Sequence, residues 1–159
     1  LEENAWKTVS EQEYLSVTNQ LGSRYGSLPR QLIHRDVHFG NFLFLNGELS
    51  GYIDFDLSQR NIRIFDLGYF LAGLLARESG AKLEEDEWLR IVCDVISGYE
   101  SVSELKREEK AALVPVMESI EILFAAYFLR TEDRICAEDA ADIFHKLRDW
   151  EERIEKCLS

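Results

Sequence analysis

Cysteine is scarce in this chain of 159 residues, and its three copies form no recognisable motif. Cys93, Cys136 and Cys157 are odd in number and far apart, with no CxxC pair and no histidine at ligand spacing. This pattern argues against a disulfide framework and against a structural zinc site. It favours a reducing compartment, so we expect a cytoplasmic protein.

Long apolar runs and an excess of positive charge are also missing. Charged residues interrupt the apolar stretches before the roughly 20 residues that are needed to span a bilayer, and the N-terminus has no signal-peptide pattern. The 30 acidic and 18 basic side chains give a formal net charge of -12, whose field repels nucleic acids and anionic membranes. We expect neither as a partner. The same charge would suit a cationic small molecule, although many soluble proteins are equally acidic.

What the sequence does contain is helical periodicity. A capping box at Ser10 and Glu13 predicts that a first helix begins there. Apolar spacing predicts further helices from about residue 65 and at about 84–99, 104–130 (with a break before Pro115) and 137–158. The expected fold class is mainly α (α+β), in a single domain of residues 1–159.

Polar residues cluster where the helical pattern is interrupted. A short apolar strand ends at Ile33, and the loop that follows holds Asp36 and Asn41 at its two ends. The turn at residues 46–47, Asn-Gly, favours positive φ and therefore predicts a β-hairpin that returns Asp54 to the side of Asn41. We expect these three oxygen-bearing side chains to meet in one pocket.

The chemistry of these three side chains predicts a magnesium site and a proton acceptor. A carboxylate and an amide oxygen are hard ligands of the kind that Mg²⁺ prefers, and the ion usually also keeps waters and substrate phosphates. Asn41 and Asp54 are the candidate ligands. Asp36 is displaced from the metal by the loop and is placed to accept a proton instead. Each residue alone has a simpler explanation in a turn or a cap, and the prediction depends on their joint spacing.

Two segments resemble the catalytic and metal loops of kinase-fold phosphotransferases. Residues 34–41 read HRDVHFGN, and IDFD follows at residues 53–56. The aminoglycoside phosphotransferase and choline kinase superfamily usually has His-Gly-Asp-Leu-His-x-Gly-Asn in the first loop, so His38 and Gly40 favour that superfamily over protein kinases. Asp66-Leu67-Gly68 also resembles its Asp-Leu-Ala-like helix start. The resemblance covers residues 31–76.

The resemblance implies a role for each matched residue. Asp36 matches the catalytic base that takes the proton of the acceptor hydroxyl, while Asn41 and Asp54 match the ligands of the Mg²⁺ that bridges the ATP phosphates. The supporting residues would be Asp56, which adds charge near the metal, and His34 and Asp66, which brace the loop. For Asp66 an alternative is that it caps a helix. His38 is expected to brace the loop or lie in the core, without a chemical role.

The resemblance also implies a missing part. An enzyme of this superfamily has an N-terminal lobe, in which a sheet, a phosphate-covering loop and a lysine bind the nucleotide. Only 31 residues precede Leu32, they read as a helix, and Lys7 is the only lysine among them. We therefore expect the C-terminal lobe of a protein-kinase-like fold, with the small hairpin carrying both loops, and little kinase activity from this chain alone.

The expected function is that of an ATP-dependent small-molecule kinase, with an aminoglycoside-like or aminoalcohol-like acceptor. Acidic residues of the later helices, including Glu118 and Glu121, would attract an amine or would be surface charge. One alternative is a non-catalytic kinase-like binding module. Another is a Ser/Thr protein kinase, which Arg35 favours and the absence of an Ala-Pro-Glu element disfavours.

Overall fold

Helices and a few short strands make up the described part of the chain, residues 8–158 of the computed structural model. The helices are α1 Glu11–Arg24, α2 Ile64–Gly73, α3 Glu85–Glu100, α4 Arg107–Lys110, α5 Leu113–Arg130, α6 Arg134–Asp149 and α7 Glu151–Cys157. The strands are β1 Arg30–Ile33, β2 Phe42–Leu45, β3 Glu48–Tyr52 and β4 Gln59–Ile62. The predicted mainly helical α+β class is confirmed. Lys7 lies outside the described residues.

The strands form two separate antiparallel pairs, which set the position of the polar loops. β2 and β3 form the predicted hairpin, with φ of 54° at Asn46 and 85° at Gly47. β1 pairs instead with β4, from Arg30 opposite Ile62 to Ile33 opposite Gln59. This second pairing has no sequence signal of the kind that marks a hairpin. Because β4 leads directly into α2, it brings the start of that helix beside the loop that follows β1.

The core lies between α2, α3, α5 and α6. α5 carries a nearly continuous buried surface, and α2 packs so closely on it that a Cβ at Gly68 would lie 3.2 Å from Val116. Within residues 8–158 one stretch, Arg107–Arg130, is long and apolar enough to cross a bilayer, and 61% of its apolar window is buried. The expectation that no stretch reaches this length is therefore wrong. Its burial is that of a core helix, and Glu118 within it is paired with Arg148 of α6.

Two of the predicted helices are each divided in the structure. The stretch 104–130 becomes α4 and α5, so the predicted break before Pro115 is confirmed. A buried ion pair fixes this break: the Arg63 guanidinium at the start of α2 bonds both carboxylate oxygens of Glu109 at 2.6 and 2.7 Å. The stretch 137–158 becomes α6 and α7, which meet at Trp150. Periodicity alone does not show these interruptions, because both halves keep an apolar face.

The expectation against disulfides is wrong for one pair of cysteines. Cys93 of α3 and Cys157 of α7 form a disulfide, with their Cα atoms 4.8 Å apart, and Cys136 remains free. The two cysteines are separated by 64 residues, and only the packing of α7 on α3 brings them together. Their distance along the sequence therefore says nothing about their distance in space.

Apolar residues beside the two polar loops are predicted to lie in the core, and only some of them do. Leu32, Phe44 and Phe55 are 70%, 55% and 55% exposed, whereas Ile33 and Val37 are buried. The strands here belong to two-stranded pairs, so one side of each pair has no layer packed on it within the described residues. The exposed apolar residues of this surface also include Leu45, Leu49 and Leu57.

Candidate active site

Asp36 lies at the centre of the candidate site, with both carboxylate oxygens held. The Tyr69 hydroxyl of α2 donates to Oδ1 at 2.9 Å, and the Asn41 side-chain amide donates to Oδ2 at 3.1 Å. The His38 Nε2 lies 3.5 Å from Oδ2. The carboxylate is 25% exposed, so it remains accessible to a ligand. These contacts fix the orientation of the group that the sequence predicts to accept a proton.

Asn41 joins the two ends of the loop. It is buried, and its Nδ2 donates to the main-chain carbonyl of Asp36 at 2.9 Å as well as to the Asp36 carboxylate. With the amide nitrogen turned toward Asp36, Oδ1 is left without a hydrogen bond among the described residues. An amide oxygen of this kind is a suitable donor to a hard cation.

Asp54 follows β3 beside the same loop. The main-chain N–H of Ile53 donates to the carbonyl of Asn41 at 3.0 Å, which places Asp54 one residue from the loop that holds the base. Asp54 has a positive φ of 62°, which aspartate tolerates better than most residues. Its carboxylate and that of Asp56 are exposed and have no ion pair within residues 8–158.

His34 connects the base loop to the Asp54 loop. Its ring is buried; Nδ1 accepts from the main-chain N–H of Asp36 at 3.3 Å, and Nε2 lies 2.8 Å from the carbonyl of Ile53. Since one nitrogen must accept from an N–H and the other faces a carbonyl oxygen, the neutral tautomer with hydrogen on Nε2 satisfies both contacts. The imidazole therefore spans the two loops.

Asp66 holds the start of the loop through the main chain. Its carboxylate accepts from the N–H of His34 at 2.8 Å and from that of Arg35 at 2.9 Å. Arg35 has a positive φ of 73°, an uncommon conformation for a residue with a long side chain. The alternative that Asp66 caps α2 does not hold, because the N-cap is Arg63 and it makes no side-chain capping bond.

His38 and Gly40 shape the middle of the loop. His38 caps the single turn Phe39–Asn41, since its Nδ1 accepts from the N–H of Gly40 at 3.1 Å. A Cβ at Gly40 would lie 2.7 Å from the His38 ring, so this close approach requires glycine. His38 is half exposed and braces the loop, one of the two roles expected for it.

Tyr69 is the site residue that the sequence does not reveal. Its spacing on α2 indicates a core aromatic, and its ring does pack near those of Phe65 and Phe124. Its hydroxyl nevertheless binds the base. Burial, followed by the hydrogen bond to Asp36, raises the pKa of Tyr69 far above its ordinary value, so the hydroxyl stays protonated and donates. The available signal is its position three residues after Asp66, on the helix that already faces the loop.

A cavity of about 450 Å³ opens beside Asp36 and extends between α2, α5 and α6. The loop residues Asp36 and His38 line one end, and Glu121 and Asp139 line the helical part. Its volume lies in the range of small-molecule sites. Asp36 therefore stands between the exposed loop of Asp54 and a cavity that can hold a small ligand.

The predicted site residues are thus only partly assembled. Asp36 and Asn41 are hydrogen-bonded to each other. Asp54 follows Ile53, which is hydrogen-bonded to Asn41, but Asp54 does not line the cavity. Within residues 8–158 no group of three or more His, Cys, Asp or Glu side chains is arranged to bind a metal. Asn41 is buried and Asp54 is exposed. An ion held by only these two oxygen donors would keep most of its waters.

A helical fold with a braced carboxylate loop, an aspartate on the adjoining loop and a cavity of small-molecule size beside the carboxylate is the arrangement expected of a kinase-like phosphotransferase. Residues 2–105 match the family model described as the phosphotransferase enzyme family. The chain belongs to that family. The resemblance drawn from residues 34–41 and 53–56 is thereby confirmed.

Similar curated proteins are homoserine kinases. The chain is 35% identical to homoserine kinase of Gluconobacter oxydans over 97 residues. The aligned region covers 61% of the chain and 29% of the relative. It is 29% identical over 130 residues to homoserine kinase of Rhizobium etli, covering 77% of the chain and 38% of the relative. The chain therefore spans between about three and four tenths of the length of these relatives.

Proposed function

We propose that the protein is an ATP-dependent kinase that transfers the γ-phosphoryl group to the hydroxyl of a small amine-bearing acceptor, of which homoserine is the model. The observation that carries the proposal is the Asp36 carboxylate, held by Tyr69 and Asn41 at the mouth of a cavity of about 450 Å³. The acceptor hydroxyl would enter from the cavity and give its proton to Asp36.

The side chains outside the cavity would serve the nucleotide. Asn41 Oδ1 and the Asp54 carboxylate would hold Mg²⁺, and Asp56 would add negative charge nearby. The bound ion would neutralise charge on the transferring phosphoryl group. His34 and Asp66 support this assignment, because their hydrogen bonds hold the two loops in one arrangement. Phosphoryl transfer depends mainly on such positioning.

A nucleotide-binding lobe would complete the cleft. The partial coverage of the homoserine kinases is consistent with a chain that forms one lobe of the enzyme. The exposed apolar side chains of the hairpin, among them Phe44 and Leu45, also support a further layer on this side. The proposal includes Mg·ATP and a small acceptor as partners. The cytoplasmic location that the cysteines predict loses this basis, because Cys93 and Cys157 are paired.

Homoserine replaces the aminoglycoside-like or aminoalcohol-like acceptor as the first choice. The similar proteins are named for homoserine, and an aminoalcohol shares its hydroxyl and its amine. The cavity is lined by aromatic and apolar side chains together with acidic ones, which suits the ammonium group of such an acceptor.

The test is phosphoryl transfer by the full product of the gene that encodes this chain. With Mg·ATP, we expect phosphorylation of L-homoserine in preference to choline and kanamycin. Asp36→Asn should lower kcat by about 100- to 10,000-fold, the usual contribution of a general base. Asp142→Asn is the matched control, because Asp142 is exposed on α6 and does not line the cavity.

Two results would contradict the proposal. Transfer that is unchanged in the Asp36→Asn variant would remove the base from the mechanism. A wild-type protein that binds Mg·ATP and the acceptors but transfers no phosphoryl group would favour the non-catalytic binding module instead.

A further inference from the structure

Glu121 is a buried acid without a partner. It lies in the middle of α5, is 3% exposed, and makes no hydrogen bond or ion pair within residues 8–158. Its neighbour one turn earlier, Glu118, is equally buried but is bonded to Arg148 at 3.1 Å. A buried carboxylate normally has such a partner, because an uncompensated buried charge is costly. The exception at Glu121 therefore requires an explanation.

The side chain of Glu121 faces the cavity that begins at Asp36. Glu121, Phe124 and Phe128 follow one another at helical spacing, and all three line it from α5. Tyr69 also lines this cavity, and its hydroxyl donates to Asp36. One cavity is thus lined by both the proposed base and an unpaired acid.

The other cavity residues do not neutralise Glu121. Asp139 across the cavity is already paired with Arg77, whose Nε lies 3.1 Å from Oδ1 and whose main-chain N–H lies 2.8 Å from Oδ2. No lysine or arginine lines this cavity in the described part of the chain. The titratable groups that line it besides Glu121 are Asp36, His38, Tyr69, Glu78, Cys136 and Asp139.

The ionisation of Glu121 would respond to a bound cation. Burial, and then the charge of Asp139, raises its pKa to about 8. With this pKa the carboxyl group is mostly protonated at pH 7. A ligand cation placed against it would favour the ionised form and displace the proton. The rings of Phe124 and Phe128 would also favour an organic ammonium group over a hydrated metal ion.

We propose that Glu121 binds the ammonium group of the acceptor and thereby places the acceptor's hydroxyl at Asp36. This inference rests on the proposed function, which it deepens by assigning the recognition of the amine to a particular side chain. Glu121 is then a specificity-determining residue: it makes an amine at one end of the molecule the condition for correct placement of the hydroxyl at the other.

Binding to the chain in the absence of ATP tests the inference. The probes are 3-aminopropan-1-ol, L-homoserine and the uncharged propane-1,3-diol, titrated by calorimetry at pH 7.5. Glu121→Gln should weaken the binding of the two amines by about 10- to 100-fold, as expected for loss of a charge-assisted hydrogen bond. The affinity for the diol should not change. Glu138→Gln removes the same charge from an exposed position on α6 and should leave the affinities for all the probes unchanged.

A second measurement needs no substitution. Between pH 6 and 8 the affinity of the wild-type chain for 3-aminopropan-1-ol should rise, and calorimetry in buffers of different ionisation enthalpy should show a proton released on binding. The sign follows because the ligand binds the ionised carboxylate, whose population grows with pH. Affinity that falls over this range would overturn the inference.

The failure of this inference differs from the failure of the proposed function. The role of Glu121 would be overturned if the Glu121→Gln variant bound the amines as tightly as the wild type. It would also be overturned if the variant lost as much affinity for the diol as for the amines. The Asp36-dependent phosphoryl transfer would stand in that case. Conversely, Glu121-dependent amine binding by a protein that transfers no phosphoryl group would support the ammonium site and refute the kinase.

Discussion

Replacing Glu109 by alanine should cause a large loss of stability. Glu109 is fully buried, and its two oxygens accept the guanidinium of Arg63 at 2.6 and 2.7 Å. The main-chain N–H of Lys106 donates to it at 3.0 Å. Alanine would leave the Arg63 guanidinium, only 13% exposed, without its counter-charge. Breaking a buried pair in this way costs about 3–5 kcal/mol in free energy of unfolding.

The assay is urea unfolding followed by circular dichroism, with the denaturation midpoint compared between variants. A thermal scan should show a decrease in Tm of about 6–20 °C for a domain of this size. Glu108→Ala is the control, because Glu108 is the exposed neighbour on α4. It should change the free energy of unfolding by about 0.5 kcal/mol or less. A loss from Glu109→Ala no larger than from Glu108→Ala would refute the reasoning.

The pH dependence gives an independent check on the same pair. Burial alone raises the pKa of Glu109, but the hydrogen bonds from Arg63 and from the Lys106 main chain outweigh it and lower the pKa below its ordinary value. The stability that this group contributes is therefore present above the pKa of the unfolded chain and is lost as the pH falls through the folded pKa. Glu109→Gln should remove this part of the acid-induced loss of stability.

Three further predictions concern the site and the disulfide. Tyr69→Phe removes the donor to Asp36 and should lower kcat by about 10- to 100-fold with little change in KM, measured by steady-state phosphoryl transfer. Asp66→Ala removes the acceptor of two main-chain N–H groups and should cost about 1–3 kcal/mol per unpaired group, with faster amide exchange in the loop that follows β1. Reduction of the Cys93–Cys157 disulfide should lower the free energy of unfolding by about 2–4 kcal/mol for a closed loop of this length, measured by urea unfolding with and without reductant.

Each of these predictions has a contrary outcome. Tyr127→Phe is the control for Tyr69, because Tyr127 is exposed and does not line the cavity; equal effects of the two substitutions would remove the hydroxyl of Tyr69 from the mechanism. Unchanged amide exchange in the Asp66→Ala variant would mean that its carboxylate does not hold the loop. Alkylation of three thiols in the unreduced, unfolded chain would show that the cysteines are not paired.

Local patterns predicted the elements of this fold well, because the signals lie within a few residues. The capping box is present at Ser10 and Glu13, and the Asn46-Gly47 turn forms the hairpin. The pairing of β1 with β4 was not predicted, since the partners lie about 30 residues apart and no turn motif links them. The Cys93–Cys157 disulfide was not predicted for the same reason, because only tertiary packing brings the two cysteines together.

The candidate site divides in the same way. Motif spacing identified Asp36 and Asn41, which are in contact, and placed Asp54 beside them on the next loop. The contributions of the helices are harder to predict. Helical periodicity assigns Tyr69 to the core and does not separate Glu121 from the other acidic residues, because it shows which residues share a face but not which face borders a cavity. Two acids in an otherwise apolar helix, Glu118 and Glu121, are the available signal, and the structure shows that Glu118 is the one paired with Arg148.

The contacts of His34 determine how substitutions in the two loops should combine. One imidazole links the main chain at Asp36 with the main chain at Ile53, next to Asp54. The two loops are therefore mechanically a single unit, and a displacement of either one is transmitted to the other through a rigid ring. Substitutions in one loop should consequently change the effect of substitutions in the other, so that double variants depart from the sum of the single ones. Evolution of either loop would then be constrained by the present state of its neighbour.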